Sequence, residues 1–245
     1  MDSLQQRLSK ISTMWTVLHQ AQPGTPGATA AQQLLMERYG GAITTYLRGT
    51  LRDADAADEL TQEFALCLVR GEFRNANRER GRFRSYVKTV LFHLMSKFRQ
   101  KQQKRPRPLA DESPEFAALA APADDADEHF DESWRNELLN RTWAVLADVQ
   151  PMFHSVLRFR ATHPKMASQD MAGELSKELG KPITADAVRQ TLRRARDKFA
   201  DLLLMEVAQS LETPSEDALA EELQELNLLE HCRPALERRQ GESEG

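Results

Sequence analysis

The sequence predicts an all-α protein made of two helical domains joined by an acidic linker. The first observation is composition. The 245 residues include only 11 glycines, 11 prolines and three tyrosines, and long stretches of Ala, Leu, Glu, Arg and Gln favour helix over sheet. The second is periodicity, because apolar residues recur at intervals of three and four along most of the chain. The third is residues 110–127, which are rich in Ala, Pro and Asp and lack this periodicity.

These patterns divide the chain into five segments. They are an N-terminal extension (1–27), a first helical domain (28–108), an acidic linker (109–130), a second helical domain (131–211), and a C-terminal acidic helix with a tail (212–245). In the first domain, Pro106 and Pro108 end the last of three predicted helices. In the C-terminal segment we expect a helix over residues 215–229, packed within the chain, and a mobile tail after Pro234.

Several classes of protein are disfavoured by the sequence. Cys67 and Cys232 fit no disulfide framework and no metal spacing. No apolar run is long enough to cross a membrane, and the N-terminus lacks an apolar signal core, so we expect a cytoplasmic protein. There is no phosphate-binding glycine loop, no dinucleotide motif and no metal-ligating cluster. We therefore expect no catalytic residue, no metal, no cofactor and no small-molecule substrate.

Opposite charges are segregated along the chain, although the formal net charge is only −4. Residues 74–107 contain twelve basic residues and one acid, Glu79, whereas residues 111–137 contain ten acids and one base, Arg135. A block of positive charge favours a polyanionic partner. The basic block therefore predicts contact with nucleic acid.

An acidic helix precedes the basic block. Leu60, Phe64 and Leu68 form its inward stripe. The opposite face presents polar residues around two exposed aliphatic side chains: Asp58, Glu59, Gln62, Leu66 and Val69. Acids near a helix start are also favoured by the helix dipole alone. Exposed aliphatic residues inside a polar rim, however, are typical of a protein-docking surface.

The basic block joins an arginine-rich loop to an amphipathic helix that begins at Phe83. Its cations and its one outward aromatic residue are Arg74, Arg78, Arg80, Arg82, Arg84, Lys88, Phe92 and Arg99. Cations that follow a phosphate backbone, with an aromatic ring that can receive an unstacked base, favour single-stranded nucleic acid. Non-specific phosphate binding would also account for the charge, and Phe92 is equally compatible with packing beneath the N-terminal segment.

Residues 168–205 have the pattern helix, short turn, helix, with Gly180 in the turn and Thr184 as an N-cap. In the second helix Val188, Leu192, Ala195 and Phe199 face inward. The outward residues are Asp186, Arg189, Gln190, Arg193, Arg194 and Lys198. Arg and Gln suit bidentate contacts to base edges. The pattern favours a helix-turn-helix that binds duplex DNA, with a solvated basic face as the alternative.

In this order, the three blocks resemble the extracytoplasmic-function sigma factors. Residues 57–63, Ala-Asp-Glu-Leu-Thr-Gln-Glu, look like the family's Ala-Glu-Asp-Leu-Val-Gln-Glu signature. Residues 83–87, Phe-Arg-Ser-Tyr-Val, look like its Phe-x-x-Trp-Leu opening of the promoter-melting helix, and residues 175–198 look like its helix-turn-helix. Together with Thr13-x-Trp15, the pattern is similar to a variant group of planctomycete-type genomes.

The resemblance implies two partners, core RNA polymerase and promoter DNA. Asp58, Glu59, Gln62 and Glu63 would bind the clamp helices of the polymerase β′ subunit. The loop residues Arg74–Arg82 and the helix residues Arg84, Lys88, Phe92 and Arg99 would bind and open the −10 element. The second domain, winged-helix-like in this family, would lie near the β flap and read the −35 element through Arg189, Gln190, Arg193 and Arg194.

Other functions and regulators stay open at the level of sequence. A helix-turn-helix regulator that acts without polymerase would not need the acidic and aromatic helices of the first domain. A helical adaptor whose acidic linker and tail bind basic proteins would have no DNA affinity. Two kinds of regulatory partner are compatible with the resemblance, an anti-sigma factor and a kinase that modifies Thr61, although an ordinary structural role for Thr61 is favoured.

Overall fold

The computed structural model describes residues 13–75, 82–104, 123–178 and 180–241. In these ranges the regular structure is entirely helical, which confirms the predicted all-α fold class. The 3-10 helix Glu72–Asn75 follows the third α-helix. The described α-helices, numbered in chain order, are α1 Met14–Gln20, α2 Ala28–Leu51, α3 Ala54–Arg70, α4 Phe83–Lys104, α5 Ala123–Val149, α6 Pro151–Thr162, α7 Ser168–Glu178, α8 Ala185–Ala208, α9 Glu216–Glu225 and α10 Leu229–Gly241.

The chain forms two compact units whose limits differ from those of the predicted domains. The N-terminal unit holds the described residues up to Glu137 together with Ala208–Ala218, and the C-terminal unit holds Leu138–Val207 together with residues 219–241. Residues 123–130, expected to be linker, are the first turns of α5. The remainder of the expected linker, residues 109–122, lies outside the described residues.

Local signals set the limits of the helices in the N-terminal unit. The Asp53 side chain accepts a hydrogen bond from the Ala56 backbone N–H at 3.0 Å and so caps α3. Gly71 ends the same helix with φ of 71°, a conformation that costs glycine little. Residues 208–218 tie two helix starts together, because Gln209 O accepts from the Met14 N–H at 2.8 Å and Ser210 O accepts from the Phe83 N–H at 3.1 Å.

Aromatic side chains from α1, α2, α4 and α5 build the core of the N-terminal unit. Trp134 of α5 is 1% exposed and stacks on Tyr39 with ring centroids 4.5 Å apart. Phe130 meets Tyr46 edge to face at 5.2 Å, and Trp15 of α1 lies 5.8 Å from Phe83. The first half of α5 is therefore part of this core and not a connecting segment.

Two glycines of α2 allow α5 to approach closely. A Cβ atom at Gly41 would lie 2.8 Å from an oxygen of Glu137. A Cβ atom at Gly49 would overlap the ring of His129. The eight-residue spacing of these glycines puts them on one face of α2, where the absence of a side chain permits the contact.

In the C-terminal unit, apolar residues of α5 to α8 form one core. Its fully buried members include Leu146, Met171, Leu175 and Ala195. Leu219 and Leu223 of α9, Leu226 just after it and Cys232 of α10 are buried as well, as expected for packing within the chain.

The expectation of a mobile tail after Pro234 was wrong for residues 235–241, which are helical. Pro234 lies inside α10, although proline lacks the N–H that an interior helical position normally donates. The neighbouring residue Ala235 is fully buried, so burial outweighs the lost hydrogen bond. None of the described helices is long and apolar enough to span a bilayer.

Candidate functional site

Helix α3 presents the predicted acidic face to solvent. Leu60, Phe64 and Leu68 are buried, as their spacing predicts. On the opposite side Leu66 and Val69 are exposed, one and two turns beyond the exposed Gln62. The structure therefore brings together an aliphatic pair with a polar rim on one helix face.

The carboxylates of this rim form long or exposed ion pairs. Asp58 lies 3.0 Å from Arg48, Glu63 lies 3.3 Å from Arg70, and Glu59 lies 3.8 Å from Lys101 of α4. All six side chains are substantially exposed to solvent. Exposed pairs of this kind contribute about 0–1 kcal/mol, so a partner protein can replace them at small cost.

Thr61 is held within the helix bundle. Its hydroxyl donates a hydrogen bond to the Ala57 carbonyl at 2.8 Å and lies 3.3 Å from the Thr44 hydroxyl of α2. Both contacts are part-buried. These two hydrogen bonds give Thr61 a structural role, which is the role that the sequence favoured.

Phe92 is the most exposed large apolar residue that the structure describes, at 64% of its surface. It therefore does not pack beneath the described part of the N-terminal segment, which begins at residue 13. His93 and Thr89 beside it are also exposed, while Val87, Leu91 and Leu94 are buried on the other side of α4. An aromatic ring held in solvent among polar residues on a rigid helix can receive an unstacked base.

Arg84 was expected on the outward face of α4, and this expectation was wrong. Its side chain is only 3% exposed, and its guanidinium pairs with the carboxylate of Asp131 on α5. The physical reason is that α5 packs over the start of α4. A buried arginine with a carboxylate partner cannot leave that partner without a large desolvation cost.

Lys88, one turn further along α4, lies in a different environment. Its ammonium lies 3.0 Å from Asp127 and 5.8 Å from the centre of the Phe130 ring. The Lys88 side chain is 25% exposed, but Asp127 is 67% exposed. Arg99, three turns later, is half-buried.

The arginine-rich loop is only partly described. Arg78 and Arg80 lie outside the described residues, and so does the side chain of Arg74, whose backbone ends the 3-10 helix. Arg82 is half-buried at the residue before α4. The juxtaposition of this loop with Phe92 therefore stays a prediction.

The helix pair of the C-terminal unit has the predicted form. Ser176 of α7 accepts a hydrogen bond from the Ile183 N–H at 2.9 Å, which fixes the turn, and Gly180 has φ of 65°. The Thr184 hydroxyl caps α8 through the Ala187 N–H at 3.2 Å. These two hydrogen bonds hold the end of α7 and the start of α8 close together across a short turn.

The outward face of α8 is accessible. Gln190, Arg193 and Arg194 are exposed, and Lys198 is half-buried. Asp186 and Arg189 are exposed too and pair with each other one turn apart. Val188, Leu192 and Ala195 are buried on the other face, as predicted. Three amide or guanidinium groups are thus available on one face for base edges and phosphates.

Three features escaped the sequence analysis. The Arg84–Asp131 pair joins residues 47 apart, across the segment interpreted as linker. Arg238 of α10 pairs with Asp197 of α8 at 2.8 Å, in a region expected to be mobile. The anchoring residue Phe130, assigned to the linker, could have been found from its spacing of four to Trp134 and Leu138, which the sequence places on one side of a helix.

The two cysteines are buried thiols. Burial raises the pKa of Cys67 to about 11, helped by a hydrogen bond and negative charge from Glu72. Burial also raises the pKa of Cys232 to about 12, helped by the charge of Asp201. Both thiols are therefore protonated near neutral pH, which disfavours nucleophilic or metal-binding roles.

Residues 35–105 match the family model described as Sigma-70 region 2. The match spans α3 with its acidic face and α4 with Phe92, while α7 and α8 lie outside it. No curated protein and no solved structure gives a match. The matched stretch is 71 of the 245 residues, and over it the chain is similar to region 2 of the sigma-70 family of transcription initiation factors. The all-helical fold of the described residues is consistent with such a region.

Proposed function

We propose that this chain is a sigma factor of the extracytoplasmic-function type that directs promoter-specific transcription initiation. One observation carries the proposal. Within the part that matches region 2, one helix exposes an aliphatic pair on the same face as a group of acids, and another exposes Phe92. A DNA-binding protein that acts alone has no need of the first surface.

The acidic face of α3 would dock on the clamp helices of the polymerase β′ subunit. Asp58, Glu59, Gln62 and Glu63 supply charge and hydrogen-bond acceptors at the rim. Leu66 and Val69 supply the apolar contact between them. An apolar centre with a polar rim is the usual anatomy of a protein interface, and the exposed ion pairs of the rim exchange partners at small cost.

The outward face of α4 would bind the opened −10 strand. Phe92 would stack on an unpaired base while Lys88, Arg99 and the arginine-rich loop neutralise phosphates. Arg84 is left out of this role because it is buried. On α8, Arg189, Gln190, Arg193 and Arg194 would enter the major groove at the −35 element, with Lys198 near the backbone.

Run-off transcription tests the proposal directly. Core RNA polymerase plus this chain should initiate at specific sites on genomic fragments from the same cell, and neither component should do so alone. A helix-turn-helix regulator would bind duplex DNA without supporting initiation. A helical adaptor would do neither. Either result would overturn the sigma-factor proposal.

Charge reversal on α3 separates polymerase docking from DNA binding. Asp58→Lys should abolish association with core polymerase and leave duplex binding unchanged, because Asp58 lies in the docking face and the proposed duplex-binding face of α8 belongs to the other unit. Asp148→Lys makes the same charge change at an exposed position of α5 and is the matched control. Equal polymerase capture by wild type and Asp58→Lys would refute the docking role of this face.

A further inference from the structure

Two acids of α5 contact the first two cations of α4 in the N-terminal unit. Asp131 pairs with Arg84, and Asp127 pairs with Lys88, one turn later on α4 and one turn earlier on α5. Both acids belong to the segment that the sequence marks as the acidic block. Part of the positive charge expected to meet nucleic acid is thus neutralised from within the chain.

The two pairs differ in how readily they can open. Arg84 is buried beside Phe83, and the partner helix is anchored by Phe130 and Trp134, which are each 1% exposed. Opening the Arg84–Asp131 pair would therefore require the aromatic core to separate. Asp127 is 67% exposed and lies outside that core. Its pair with Lys88 can open by rotation of two side chains.

The charge of Asp127 also acts near Arg99, a second cation of α4. The pKa of the Tyr46 hydroxyl is raised chiefly by burial. The hydrogen bond to Thr50 lowers it, the charge of Asp127 raises it, and the charge of Arg99 lowers it. Asp127 and Arg99 thus lie close enough to act on the same group. On α5 the neighbouring Glu128 is also exposed and adds negative charge at this end of the helix.

We propose that Asp127 is a built-in competitor of single-stranded nucleic acid for Lys88. In the free chain the carboxylate occupies the position of a phosphate. A phosphate of the bound strand replaces this carboxylate. Lys88 then changes its ion-pair partner while its ammonium stays over the Phe130 ring. Arg84 stays with Asp131 throughout. This inference rests on the proposed function, because it requires that α4 meet a nucleic-acid strand.

The test is strand binding by the full chain at low ionic strength. Fluorescence anisotropy with a labelled single-stranded DNA of mixed sequence should show about two- to fivefold tighter binding by Asp127→Asn, the range set by an exposed ion pair. The gain should shrink as salt is added, because phosphate contacts weaken through counterion release. Thermal unfolding should show that the variant stays folded.

Two further variants keep the proposal falsifiable. Asp148→Asn removes the same charge from an exposed site in the C-terminal unit and should leave affinity unchanged. In a Lys88→Gln background, Asp127→Asn should give no gain. The competitor role of Asp127 is overturned if Asp148→Asn raises the affinity for single-stranded DNA equally. It is also overturned if Asp127→Asn still raises that affinity in the Lys88→Gln background.

Failure of this inference can be told apart from failure of the proposed function. If no variant binds the strand while run-off transcription succeeds, the competitor is overturned and the sigma-factor proposal stands. If transcription fails as well, both are overturned.

Discussion

Helices α4 and α8 are both basic amphipathic helices, yet they present their cations differently. On α8 the exposed pair is formed within the helix, between Asp186 and Arg189, and Gln190, Arg193 and Arg194 are exposed. On α4 the pairs are formed with other helices. Asp131 and Asp127 of α5 contact its first cations, and Glu59 of α3 lies near Lys101. A basic stripe in the sequence therefore predicts how many cations a helix carries. It does not predict how many of them remain unpaired with neighbouring helices and accessible to a nucleic acid.

The difference follows from what each face packs against. The N-terminal unit uses aromatic residues of α5 to close its core, and this docking brings acids onto α4. The predictions below test that difference, beginning with the residue on which the docking depends most.

Trp134→Ala should cause the largest effect. The ring is fully buried and stacked on Tyr39, and truncation of a buried Trp costs about 3–5 kcal/mol. The free energy of unfolding, from urea titration followed by circular dichroism, checks this. Phe92→Ala, at an exposed aromatic, should change it by less than about 0.5 kcal/mol. A similar small loss for both variants would mean that α5 is not anchored in the core in solution.

Arg84→Ala should destabilise the protein by about 2 kcal/mol. Removal of one member of an ion pair destabilises a protein by more than this when the remaining charge is fully buried. The loss should be smaller here because the Asp131 side chain is 29% exposed and stays partly hydrated. Urea unfolding measures the change. The corresponding change at Arg193, on the exposed face of α8, should stay within about 0.5 kcal/mol. Equal losses at the two positions would remove the distinction between the helices.

Arg193→Ala should instead weaken binding to a duplex that carries a promoter. The expected loss is about tenfold, within the range of about 1–3 kcal/mol for a base contact from arginine. Fluorescence anisotropy on a template that supports run-off transcription measures it. Arg233→Ala, at an exposed arginine of α10, is the control and should bind as wild type does. Unchanged affinity of the Arg193 variant would exclude that residue from the interface.

Glu137→Gln should have the smallest effect, an increase in the melting temperature at neutral pH. Burial near Gly41 raises the pKa of the Glu137 carboxyl above its ordinary value of 4.5. Because the folded-state pKa is the higher one, stability is lost as pH rises from 4.5 through that raised pKa. Glutamine removes this loss, so the gain should disappear at pH 4. Glu132→Gln, exposed on the same helix, should show no gain at either pH.

The sequence predicted the helices that depend on local signals. The stripe Val188, Leu192 and Ala195 and the cap at Thr184 were found because spacing and capping act within a few residues. The acidic face of α3 was found for the same reason. Phe92 was correctly placed on the outward side of α4, where the described part of the N-terminal segment leaves it exposed.

The errors came from tertiary contacts between distant segments. Arg84 was misplaced because its partner Asp131 lies 47 residues away, on the far side of the segment interpreted as linker. The helix after Pro234 was missed because proline disfavours helix locally, while burial of Cys232 and Ala235 acts through the fold. The spacing of apolar residues within a segment does not predict contacts with a distant segment, such as the pair of Arg84 with Asp131.

The contact between Gly49 and His129 has a consequence for affinity. Any side chain at residue 49 would occupy the space of the His129 ring, so the ring would have to turn away or this part of α5 would have to shift. Asp127 lies two residues before His129, and a shift of α5 would carry it away from Lys88. We therefore expect a methyl group at residue 49, on a helix that carries none of the residues assigned to DNA, to alter nucleic-acid affinity without changing the charge of any residue.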